Sequence, residues 1–88
     1  MRAPSAKQWR RAAKLLREKR VHVIAHGPHG IAAEVEGDHG TYEVLRREGQ
    51  WECECDLQKY RPSWACAHIA AVWMVWQALK ESETDGTD

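Results

Sequence analysis

The sequence predicts a small α+β domain with an N-terminal helix, an antiparallel meander of three or four strands, a zinc site and a C-terminal helix. Three observations predict it. Apolar residues recur at helical spacing within the first twenty positions. From Val21 the period drops to two and is broken by glycine-bearing turns. All three cysteines fall between Cys53 and Cys66, just ahead of a second helical run.

The elements follow in order. Ser5, with Gln8 three residues later, has the form of a capping box. Trp9, Ala12, Ala13 and Leu16 then repeat on one side of a helix expected to run from Ser5 to about Lys19. "VHVIA" (21–25) is a short strand, and "HGPHG" (26–30) is a turn. "IAAEVEG" (31–37) alternates Ile31, Ala33 and Val35 against Ala32, Glu34 and Glu36. "GDHG" (37–40) is a second turn. "TYEVLRR" (41–47) places Tyr42 and Val44 on one face. After "EGQ" (48–50), "WECEC" (51–55) sets Trp51, Cys53 and Cys55 on one face and Glu52 and Glu54 on the other. Residues 56–63 read as a polar loop containing Pro62. The last helix is expected from Trp64 or Ala65 to about Lys80. Three segments result: a basic N-terminal helix (1–20), a zinc-binding domain (21–80) and a disordered acidic tail (81–88).

A chain of 88 residues is close to the size at which a hydrophobic core alone is marginal, so a staple is expected. Cys53, Cys55, Cys66 and His68 supply a complete Cys3His set for one structural zinc ion. Two positions apart on a strand, Cys53 and Cys55 project from the same face. Cys66 and His68 fall where the last helix begins, and the positive end of a helix favours thiolate over thiol. Two other readings compete: ordinary buried cysteines beside a polar histidine, or one disulfide with a leftover thiol. "HGPH" (26–29) offers a second metal pair, but with no further ligands nearby it reads as two solvated turn histidines. His22, flanked by Val21 and Val23, reads as a strand's outer face.

The run "WECEC" followed by "CAHIAAV" (66–72) resembles the SWIM zinc-finger family, whose signature is Cys-x-Cys, a variable gap, then Cys-x-His. The likeness takes in Trp51 ahead of the first pair, Ile69, Ala71 and Val72 after the histidine, and a Tyr-bearing strand before the Trp-Cys strand. It covers roughly residues 20–77. It implies a short meander followed by a helix with zinc between them, and it gives the ligand role to Cys53, Cys55, Cys66 and His68. It also implies a DNA-binding or protein-interaction module. Such modules sit within larger proteins such as transposases, chromatin remodellers and signalling proteins. This chain is little more than the module, so whatever it assists is expected to act in trans.

The net charge of zero conceals a strong asymmetry. Residues 1–20 carry eight basic side chains against Glu18 alone, a net charge of +7. Residues 21–60 carry −5 and residues 61–88 carry −2. Lys7, Arg10, Arg11, Lys14 and Arg17 on the first helix are candidate phosphate contacts for DNA or another nucleic acid. The competing reading is a solvated face, or pairing with the chain's own acidic strands. If nucleic acid binds, Arg46, Arg47, Lys59 and Arg61 are further candidates. The alternative function is a protein–protein adaptor, perhaps homodimeric, acting through the Trp-rich last helix. There Ile69, Val72, Trp73, Trp76 and Lys80 form one stripe, its tryptophans expected in the core, with Trp9, Ala13 and Leu16 covering another side.

The N-terminus has no apolar signal region, and no run reaches the ~18–20 residues of a membrane span. A cytoplasmic location without membrane contact is expected, which favours metal over disulfide. Four protein ligands would leave zinc no open position. Neither a phosphate loop, a nucleophile elbow nor paired carboxylates is visible. No enzymatic activity and no small-molecule substrate are expected.

Overall fold

The computed structural model describes residues 3–37, 40–55 and 65–86, with side chains described to Glu81. Helix α1 (Ala6–Arg17) is followed by strands β1 (Val21–Gly27), β2 (Gly30–Gly37), β3 (Gly40–Arg47) and β4 (Gln50–Cys53), and then by helix α2 (Ala67–Gly86). The four strands form one antiparallel sheet in chain order, so the fold is α+β as the sequence predicts. The polar loop, Trp64 and the "DH" of the second turn lie outside the described residues.

Ser5 caps α1, its Oγ accepting the Gln8 N–H at 3.3 Å. The reciprocal half of the box is missing, because Gln8 Oε1 is buried without a hydrogen-bond partner. The helix stops two residues short of Lys19 in a Schellman arrangement. The Arg20 N–H reaches the Leu15 carbonyl at 3.0 Å and the Lys19 N–H reaches Leu16 at 3.1 Å. Lys19 sits in the left-handed region at φ 57°. The turn between β3 and β4 has positive φ at both central residues, Glu48 (53°) and Gly49 (79°). That matches the twist of a tight hairpin, and Gly49 takes it without strain.

One face of the sheet is buried against α2. Ile31, Ala33, Val35, Val44 and Trp51 share a core with Ile69, Val72 and Trp76. The opposite face is wet and acidic, with Glu34, Glu36, Glu43 and Glu52 exposed. Edge strand β1 is exposed over most of its length, and its register slips between Val23 and Ala25. Its far end is tied down by Trp76, whose Nε1–H donates to the Gly27 carbonyl at 3.1 Å.

A helix apolar on several sides requires more than one partner. Ile69, Val72 and Trp76 of α2 face the sheet, while Ala70 and Ala71 pack on Ala12 of α1. These alanines have no bulk to separate the two helices. The cover on that side comes from Trp9, Ala12 and Leu15 rather than from Trp9, Ala13 and Leu16. Trp73 bridges the layers, edge-on to Trp9 at 6.0 Å and stacked on Trp51 at 5.3 Å. Trp76 is buried and Trp73 half-buried, so this helix keeps little free indole surface. Arg46 belongs here too: its guanidinium carbon lies 5.2 Å and 5.0 Å from the Trp51 and Trp76 rings. It therefore serves the core and not a phosphate face. α2 also runs six residues past the expected end at Lys80, through most of the segment expected to be disordered. No proline or glycine precedes Gly86 to stop it.

Because Lys19 bears a side chain in a conformation that suits glycine, Lys19→Gly should stabilise the fold by about 1 kcal/mol. Urea denaturation measures this, and an unchanged midpoint would contradict the cap described.

Candidate metal centre

Cys53 is the last residue of β4, and the chain bends at Cys55 instead of continuing the strand. The bend turns Cys55 into the core, where it is 5% exposed. Ten residues later the chain returns at Cys66, whose carbonyl accepts the Ala70 N–H at 3.0 Å. Cys66 therefore stands just ahead of α2, and His68 lies in its first turn. A sheet end and a helix start thus deliver two ligands each.

The four ligand atoms all lie within 4.8 Å of one another. His68 Nδ1 is 3.9 Å from both Cys53 Sγ and Cys66 Sγ. Ligands about 2.0–2.3 Å from a tetrahedral ion are separated by about 3.6–3.8 Å, so the spacing is close to that of a metal sphere. All three cysteines are free thiols. The sequence-predicted set is brought together whole, and it can hold one metal ion. Among the described residues it is the sole such group of Cys, His, Asp and Glu. His22 instead pairs with Glu36 at 3.2 Å on the wet face of the sheet.

The electrostatics of the metal-free cluster are those of crowded donors. Burial acts to lower the His68 pKa, but the sulfurs of Cys55 and Cys66 outweigh it and the imidazole is raised to about 9. Hydrogen bonds shared with Cys55 and Cys66, reinforced by burial, push the Cys53 thiol far up. Without metal the cluster holds protons tightly. A metal ion must displace them.

Two residues outside the ligand set position His68. The Tyr42 ring packs on the imidazole with centroids 4.8 Å apart. Gly37 leaves room beside both rings, where an added Cβ would fall 3.1 Å from His68 Nε2 and 2.8 Å from Tyr42 Cε2. The alternation in β3 put Tyr42 on the inner face. Nothing in the sequence marked Gly37 as more than a turn residue.

The predicted phosphate contacts Lys7, Arg10, Arg11, Lys14 and Arg17 all lie exposed on α1. None is paired with an acidic side chain among the described residues, so the expected alternative of pairing with the strands does not occur. Arg47 lies on the acidic face, 3.7 Å from Glu52. Lys59 and Arg61 lie outside the described residues. No helix among the described residues is long and apolar enough to cross a membrane. No family model, curated protein or solved structure matches the chain.

Three outcomes are expected. With a folded pKa raised above 6.5, His68 stabilises the metal-free fold below about pH 6.5, and this contribution is lost as pH rises through about 9. Metal binding runs the other way. It releases at least the His68 and Cys53 protons, so affinity should rise about a hundredfold per pH unit between about pH 6 and 8. Competition with a chromophoric chelator measures this, and a flat profile would remove both groups from the ligand set. Gly37→Ala should cost about tenfold in metal affinity by displacing His68.

Proposed function

We propose that the chain is a structural-zinc module of SWIM type that binds nucleic acid as an accessory or regulatory protein. Three thiols and an imidazole form a soft, tetrahedral donor set that suits zinc. Such a sphere is filled by protein ligands, which favours a structural role over catalysis. Thiols kept reduced for a metal call for a reducing compartment, and the cytoplasm is the proposed location.

The observation that carries the nucleic-acid reading is the state of α1. Its five cations are exposed and have no acidic partner among the described residues, while the acidic strand face lies on the side of the sheet that α2 leaves uncovered. Phosphate can approach the helix without meeting those glutamates. No base-reading pattern accompanies the cations, so binding is expected to follow the backbone charge and not the sequence.

An adaptor role is the second reading. One observation favours it: Ile24 and Val23, 58% and 37% exposed, lie on the open edge strand β1. A partner or second copy would bind there and not at the Trp-rich helix.

Binding to a random duplex should weaken with salt along a log–log slope of about −3 to −5, near −0.9 per phosphate contacted. The charge-reversed variant Arg10→Glu/Lys14→Glu/Arg17→Glu should lose retention while keeping stoichiometric zinc. A wild-type chain that ignores the duplex at low salt, and shows a concentration-dependent mass, would overturn this reading in favour of the adaptor.

A further inference from the structure

Between α1, the end of β2 and the start of α2 lies a cavity of about 430 Å³. This is within the roughly 300–1,000 Å³ of small-ligand sites. It is walled by the metal cluster on one side and by cations on the other. Arg11 and Lys14 line it, and neither has an acidic partner among the described residues. Arg20 also lines it, but is engaged with Glu18 at 2.9 Å. The wall is therefore net positive even after that pair is discounted.

One polar group on this wall lacks a partner among the described residues, the outer nitrogen of His68. Its Nδ1 faces the sulfurs, so with a metal bound there the ring's hydrogen resides on Nε2. A metal-ligating histidine nearly always gives that hydrogen to an acceptor. Here Nε2 lies beside Gly37, both residues wall the cavity, and Nε2 makes no hydrogen bond to another described residue. Two cations without acidic partners among the described residues and an N–H donor ask for one thing: an oxyanion.

We propose that this cavity binds a phosphate group, which accepts from Arg11, Lys14 and the His68 Nε2–H. The inference deepens the nucleic-acid reading and rests on it for the source of the phosphate, one residue of a duplex backbone. A free phosphate or phosphate ester has the same chemistry. The helical wheel separates the pocket from the rest of the basic face: Arg11 and Lys14 line it, whereas Arg10 and Arg17 do not.

The test uses the full chain loaded with zinc. Inorganic phosphate is titrated against chloride at equal ionic strength and followed by heteronuclear NMR. Phosphate should shift the Gln8 amide, Gly37 and the His68 ring, and slow zinc loss to a chelator. Arg11→Ala/Lys14→Ala should abolish both effects without changing zinc content. The same variant should bind a random duplex about tenfold more weakly than the charge-matched Arg10→Ala/Arg17→Ala. Phosphate shifts no larger than those of chloride overturn the pocket, whatever the duplex does. Phosphate shifts with equal duplex binding by the two variants support the pocket and assign it to free phosphate groups. Phosphate shifts with no duplex binding at all support the pocket and overturn the nucleic-acid reading.

Discussion

Four donor atoms converge where the end of the last strand meets the start of the last helix, and the rest of the molecule is arranged around that junction. Cys53 ends the sheet and Cys55 follows it at the bend, while Cys66 just precedes α2 and His68 lies in its first turn. In a chain of this size the buried apolar surface is small, so a metal ion held by these donors would cross-link the layers with a large effect on folding. Its effect is also directional. Fixing one ligand just ahead of a helix and another in its first turn fixes the rotation of that helix about its axis. The rotation in turn decides that Ile69, Val72 and Trp76 meet the sheet and that Ala70 and Ala71 meet α1. The same anchor places His68 against Tyr42 and Gly37, so the wall of the cavity and the metal cluster are parts of one construction.

The charge layout follows from this layering. Helix α1 reaches the body mainly through α2, and its polar side is left to solvent with five cations in a row of turns. The sheet's uncovered face carries the glutamates. A neutral chain is thereby turned into an object with one basic and one acidic side. The indoles supply the mechanical link: Trp9 touches Trp73, Trp73 stacks on Trp51, and Trp51 meets Trp76 edge-on at 6.1 Å. Arg46 and Lys80 sit over these rings, so two charges that look available for binding are spent on packing.

Much of this was legible in the residues, because local rules and the tertiary fold agree. Alternation in "IAAEVEG" and "TYEVLRR" named the inner face correctly, Tyr42 included. The crowding of three cysteines and His68 named the cluster, since side chains of that chemistry are seldom gathered by chance. What was not legible depends on how elements are brought together. Leu15 rather than Leu16 covers α2, because the choice between two adjacent leucines is made by where the second helix lies. Arg46 resembles any surface arginine until the indoles arrive beside it. Gln8 satisfied a capping pattern in sequence, yet its Oε1 is buried and accepts no hydrogen bond from a described residue. Gly37 gained its role only when His68 came across from α2. The end of α2 was misjudged on composition: acidic residues lower the drive for burial, but they do not break a helix.

The alanine pair of α2 sets a rule on length. Between His68 and Val72 the helix must serve the cluster, the sheet and α1 in consecutive positions, each about 100° from the next. Exchanging one small apolar side chain for another leaves those bearings intact. Inserting or deleting a single residue there rotates everything downstream by that angle, turning Trp76 off the sheet and separating the two helices. This segment can drift in composition but not in number of residues.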